Sequence, residues 1–222
     1  MNMNSITIKM KKGEYYIEEA FKTLRTNIQF CGEDKKVIAF TSCAPGEGKS
    51  SVSLKLAISL AEAGKKVLFI DADLRKSVLT GKLQISGNVK GLTNFLAKQA
   101  TLQEVVSGTN IPGLYLTIAG PLPPNPAELL GRGAFGELLN ITRKVYDYVI
   151  VDTPPLGNVI DSAIIAEQCD GVVLVVGSGM VSYRFAQNIK KQLDKTNCPI
   201  LGAVLNKAEH NQNGKYGQQY GH

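Results

Sequence analysis

Five short runs of β-branched and aliphatic residues constrain this chain more than anything else in it: Val37–Thr41, Val67–Ile70, Tyr148–Val151, Val172–Val176 and Ile200–Leu205. Each is nearly continuous in apolar residues instead of alternating polar with apolar. That is the pattern of a strand covered by helices on both faces. Helical patterns lie between the runs, notably Lys49 to Ala63, stopped by Gly64, and Ser182 to Lys195. Strands alternating with helices predict an α/β fold with a doubly wound, mostly parallel sheet and right-handed crossovers. Ligands of such sheets bind beyond the carboxyl ends of the strands.

Composition narrows the class. Apolar residues make up 44% of the 222 and charged residues 20%, which excludes disorder, collagen and coiled coil as descriptions of the whole. Lysine and arginine number 25 against 19 acids, a net charge of +6 that suits a polyanionic partner without choosing among nucleotide, membrane surface and nucleic acid. Cys31, Cys43, Cys169 and Cys198 are far apart in sequence, so no disulfide framework or zinc site is expected, and a reducing compartment fits. No apolar run approaches the roughly 20 residues that cross a bilayer. The first sixteen residues lack the apolar core of a signal peptide, so a cytoplasmic protein is expected. Residues 13–31 read as an amphipathic helix ahead of the first strand, and 207–222 as a flexible polar tail. The chain divides into an N-terminal arm (1–31), one α/β domain (32–206) and the tail (207–222).

The segment TSCAPGEGKSS, Thr41 to Ser51, follows one strand and opens a helix, the context a phosphate-binding loop requires. Gly46 and Gly48 let the backbone turn tightly and aim N–H groups at phosphate oxygens, and Glu47 and Ser51 count with them among the expected nucleotide-binding residues. Lys49 would reach the β- and γ-phosphates of ATP and Ser50 would offer its hydroxyl to Mg²⁺. Cys43 stands where the motif has its first glycine, so the match rests on Gly48-Lys49-Ser50 and its setting. The fold expected is therefore of the P-loop NTPase type, with a helical arm and a flexible tail.

Mg²⁺ takes a few carboxylates and keeps several waters. Two other strand ends supply acids: Asp71 and Asp73 in VLFIDADLR, and Asp152 in YVIVDTPP. A lone acid there could instead cap the next helix; three beside a phosphate loop fit that reading poorly. Asn206, in VLNK at the end of the last run, could meet an adenine edge or simply form a turn.

With these residues in view the chain resembles the bacterial tyrosine kinases of the CpsD/CapB type, which serve capsule and exopolysaccharide synthesis. The resemblance runs from Glu14 to Lys207 and rests on APGEGKS at 44–50, VLFIDADLRK at 67–76, GPLPPNPAELL at 120–130 and YDYVIVDTPP at 146–155. It implies a non-specific protein-tyrosine kinase using MgATP. Lys49 and Ser50 would contact phosphate and metal, Asp71 would accept the tyrosine hydroxyl proton, and Asp73 and Asp152 would hold the metal. It further implies ring-like self-association through an ExxRxxR segment, here Glu19, Lys22 and Arg25, with lysine replacing the first arginine and losing its bidentate fork. Tyr216 and Tyr220 in KYGQQYGH would be acceptors phosphorylated in trans by neighbouring subunits. The implied partners are a membrane-embedded activator of the polysaccharide co-polymerase type, which would hold the kinase at the inner face of the membrane, and a cognate tyrosine phosphatase.

Two other readings stay open. A ParA/MinD-type ATPase switch shares fold, loop and acids, but its loop carries a further lysine where this chain has Ala44, and no terminal amphipathic helix of the MinD kind is seen. A non-catalytic nucleotide-sensing subunit of a polysaccharide assembly complex would use the same residues. Nucleic-acid binding is not expected, because no basic patch interleaved with aromatics occurs.

Overall fold

All five apolar runs are strands. In four of them the destination of alternate residues explains their continuity, whereas the run Ile200–Leu205 lies at the sheet edge without the expected cover on both faces and leaves Leu205 exposed. In the first, Val37 and Ala39 pack into one hydrophobic cluster while Ile38 and Phe40 pack into another on the opposite face. The second run behaves likewise: Leu68 and Ile70 join the first cluster, Val67 and Phe69 the second. A strand with two buried faces has no position left for a polar residue.

The structure is a computed structural model that describes residues 5–8, 15–83 and 89–208. In chain order, β1 (Ser5–Ile6) and α1 (Tyr15–Phe30) precede β2 (Val37–Ser42), α2 (Lys49–Glu62) and β3 (Val67–Asp71). Three short helices follow, α3 (Leu79–Lys82), α4 (Leu92–Leu96) and α5 (Leu102–Val105), then β4 (Ser107–Thr109) and β5 (Leu114–Thr117). The second half runs α6 (Pro126–Gly131), α7 (Gly133–Val145), β6 (Tyr148–Asp152), α8 (Asp161–Ala166) and β7 (Gly171–Gly177). It closes with α9 (Tyr183–Leu193) and β8 (Ile200–Asn206). One sheet takes the order β1-β4-β5-β3-β6-β2-β7-β8, parallel throughout except β4 against β5. Ile28 of α1 and Val52, Leu56 and Leu60 of α2 cover one face; Phe135 and Leu138 of α7, Ile165 of α8 and Ile189 of α9 cover the other.

Local chemistry sets the element ends. Gly64, at φ 81°, takes the left-handed turn that stops α2, and its N–H returns to Ala61 O at 2.8 Å. The Ser182 hydroxyl caps α9 by accepting from Phe185 N at 3.2 Å. At the amino ends of the strands, the Asp170 carboxylate accepts from Lys36 N (3.0 Å) and Val37 N (2.7 Å) and pairs with Arg143 (3.0 Å).

Three strands are invisible to the apolar pattern. β1, β4 and β5 have two to four residues each, and β4 is Ser-Gly-Thr. The arm thus opens with a strand on the far sheet edge, where the Asn110 side chain accepts from Ile8 N (2.7 Å) and donates to Ile8 O (3.2 Å). Of the expected tail, Lys207 and Ala208 are described; Tyr216 and Tyr220 lie outside the described residues.

Candidate active site

The sheet order places the end of β2 between those of β6 and β7, with β3 beyond β6. The loop after β2 is therefore flanked on one side by Asp152 and Asp71, which stand opposite each other in the register of β6 and β3. On its other side come the ends of β7 and β8.

The loop is built to turn amides outward. Gly46 and Gly48 are left-handed (φ 83° and 92°). A Cβ on Gly48 would overlap the amide of Asn206, so only glycine fits there. Glu47 is fully buried, and its carboxylate accepts from Ala44 N (2.7 Å) and Gly177 N (3.0 Å), bracing the loop against β7. Its side chain points into the protein, leaving only its backbone to serve a phosphate. Cys43 is buried too, which pushes its thiol up to about 11 and leaves it a poor nucleophile.

Beyond Gly48, α2 begins at Lys49, whose ammonium reaches Asp152 Oδ1 at 2.8 Å and Ser50 Oγ at 3.1 Å. Ser53, one turn further along α2, donates its hydroxyl to the same Asp152 oxygen at 3.0 Å. The Lys49–Asp152 pair is almost wholly removed from solvent. Asp71 is buried beside it and accepts from the Ser77 hydroxyl and from Asp73 N (3.2 Å). Burial first, and the neighbouring Asp152 charge second, raise the Asp71 carboxyl from its usual 3.8 to about 7. A carboxyl poised there can take a proton near neutral pH.

Asp73 is half-buried, and its Oδ1 accepts from Arg75 N (3.3 Å) and Lys76 N (3.0 Å). Arg75 in turn grips the buried Asp161 at the start of α8 with two hydrogen bonds, at 2.8 and 2.9 Å. Asn206 donates to Glu47 O at 2.8 Å, so its amide N–H₂ is turned to the loop. Lys49, Ser50, Asp71 and Asp152 lie together at the ends of β2, β6 and β3, and Asp73 follows Asp71 by two residues. Among the described residues no three His, Cys, Asp or Glu side chains form a cage. The oxygen donors Ser50, Asp73 and Asp152 suit a hard cation such as Mg²⁺, which needs few protein ligands when phosphates supply the rest.

The sequence motifs assign no role to Ser53, Ser77, Arg75, Asp161 or Lys207. Ser53 could have been found, since it lies four residues after Lys49 on the same helix face. Arg75 and Asp161 are 86 positions apart and pair only through the fold. Of the proposed self-association residues, Lys22 pairs with Glu19 at 2.7 Å on the open face of α1. Arg25 instead donates to Ser59 O (2.8 Å) and Ser59 Oγ (3.2 Å), fastening α1 to α2.

Residues 35–199 match the AAA domain family. The tyrosine-protein kinase CpsD of Streptococcus agalactiae is 44% identical over 207 residues, covering 91% of this chain and 90% of the relative. Among solved structures, the chimerical protein CapA2B2 superposes with a TM-score of 0.85 at 33% identity, covering 94% of each chain. MinD from Pyrococcus horikoshii, in complex with Mg-ADP, covers 77% of this chain and 69% of its own at a TM-score of 0.66; at 24% identity it shows the fold alone.

Proposed function

The chain belongs to the bacterial tyrosine-protein kinases of the CpsD/CapB type, and on that premise we propose that it transfers the γ-phosphoryl group of ATP to tyrosines of a neighbouring subunit's tail. The observation that carries this reading is Asp71: a buried acid tuned to about 7, in register beside the Lys49–Asp152 pair at the phosphate loop. A switch that only hydrolyses ATP has to position water; a kinase needs an acceptor for a phenol proton. The family serves capsular and exopolysaccharide synthesis.

In this mechanism the loop amides of residues 46–51 bind the phosphates, and Lys49 leaves Asp152 to follow them. Ser50, Asp73 and Asp152 would hold Mg²⁺, which neutralises charge on the phosphates when bound. Asp71 would take the tyrosine proton as the phenol oxygen attacks phosphorus, and ADP would depart with the bond to its β-phosphate oxygen broken. Ser77 holds the Asp71 carboxyl in place for that step. Subunits would meet through the exposed face of α1 carrying Glu19 and Lys22. No helix among the described residues is long and apolar enough to cross a membrane. Attachment to the inner face of the membrane would come from an activator of the polysaccharide co-polymerase type, and a tyrosine phosphatase would reset the tail.

Incubation of the purified chain with MgATP, with and without an activator's cytoplasmic peptide, followed by phosphate mapping by mass spectrometry, tests the reading. Phosphate on Tyr216 or Tyr220 is expected. ADP release with no phosphotyrosine in either condition would favour the ATPase switch instead.

A further inference from the structure

A phosphate cradle must turn its N–H groups inward, so its carbonyls point away and need donors of their own. A trans peptide places the carbonyl of one residue opposite the N–H of the next. Whatever anchors Gly46 O therefore aims Glu47 N–H, and whatever anchors Glu47 O aims Gly48 N–H. Both anchors come from consecutive residues at the exit of β8. Lys207 Nζ donates to Gly46 O at 2.7 Å and Asn206 Nδ2 to Glu47 O at 2.8 Å.

The surrounding geometry is arranged for this. Asn206 O accepts from Ser178 N at 2.8 Å, which fixes the strand end. Gly48 has no side chain that would keep the Asn206 amide away. Lys207 is left-handed at φ 58°, a conformation few L residues adopt. This bend turns its side chain back over the loop, with the ammonium also 3.6 Å from Met180 Sδ.

We infer that Asn206 and Lys207 are positioning residues that orient the peptide planes 46–47 and 47–48 of the phosphate-binding loop, and so set its affinity for the diphosphate of any bound nucleotide. This rests on the nucleotide reading of the loop. It also gives Asn206 a role independent of the base, in place of contact with an adenine edge.

The test is calorimetric titration of the full chain and its variants with MgADP, MgATP and MgIDP. Lys207→Met should weaken MgADP and MgATP alike, by about tenfold, the loss typical of one charge-assisted hydrogen bond. Lys207→Arg should restore most of it. In steady state the KM for ATP should rise with kcat within about threefold, since loop geometry binds ground and transition states similarly. Asn206→Ala should weaken MgADP and MgIDP equally. A loss confined to MgATP would mean that Lys207 touches the γ-phosphate directly, and a loss confined to adenine nucleotides that Asn206 reads the base; either overturns the inference. Unchanged affinities in both variants overturn it outright while the wild type still binds. A wild-type chain that binds no MgADP would sink the nucleotide reading itself, a separate failure.

Discussion

Asp71 and Asp152 stand opposite each other in register on neighbouring parallel strands, yet they are neutralised by different means. Asp152 has an ammonium at 2.8 Å; Asp71 has a hydroxyl and a backbone amide and holds its proton up to about 7. Two buried carboxylates on adjacent strands cannot both carry charge cheaply, and the one without a cation yields. Their environments are thereby pushed apart, one acid paired with a cation and the other left to exchange a proton.

Asp71→Asn should bind MgADP as the wild type does and lose transfer by roughly 10²–10⁴-fold. The acid limb of the wild-type rate, falling below about pH 7, should vanish in the variant. A variant rate within a few-fold of wild type in a phosphotyrosine time course would remove Asp71 as the base.

The same substitution should stabilise the fold at alkaline pH. A carboxyl raised from 3.8 to about 7 keeps in the folded state a proton that the unfolded chain gives up. Its contribution to stability is therefore full below about pH 4 and is lost as pH rises through about 7. Chemical denaturation at pH 8 should show Asp71→Asn gaining on the order of 2–4 kcal/mol, and the gain should shrink steadily as the pH is lowered towards 4.

Lys49→Met strands the Asp152 carboxylate in the interior without its cation, leaving it the Ser53 hydroxyl. The variant should lose about 3 kcal/mol of stability as well as its phosphotyrosine signal. Adding Asp152→Asn should return most of the stability and none of the activity. Thermal melts that fail to separate single from double variant would show the pair to be structurally inert.

On α1, Arg25 should behave unlike its neighbours. Arg25→Ala removes the clamp on Ser59 and should lower the melting temperature, at a cost of about 1 kcal/mol. Glu19→Ala with Lys22→Ala leaves the fold untouched and, if α1 joins subunits, reduces the mass seen by light scattering. An unchanged mass would assign that face to solvent alone.

Replacing both Tyr216 and Tyr220 by Phe should abolish most autophosphorylation. Persistent phosphotyrosine would point to Tyr15 or Tyr16, whose rings are exposed on the first turn of α1.

How much could be read beforehand follows from distance along the chain. The phosphate loop, its helix and the three acids are each local, so Gly48, Lys49, Ser50, Asp71, Asp73 and Asp152 announce themselves in short strings. The strands buried on both faces are equally plain. Strand β4 is Ser-Gly-Thr and β1 two residues long; their pairing comes from the Asn110 side chain and the sheet edge, which no periodicity encodes. The Arg75–Asp161 and Asn206–Glu47 contacts join residues 86 and 159 positions apart, so only the closed sheet reveals them. Glu47 shows the reverse case: its place in the motif is obvious, but its inward carboxylate is settled by Gly177, a partner on another strand.

The Lys49–Asp152 contact has a bearing on the order in which ligands arrive. A divalent cation coming alone meets a carboxylate that already has its counter-ion, and gains little by displacing it. On the proposed mechanism polyphosphate would change the terms, because it would draw the ammonium off and uncover an oxygen for the accompanying metal. Loading the site would thus be closer to ion exchange than to simple addition: one positive charge would leave Asp152 as another came in, and nucleotide and metal would enter as a single package.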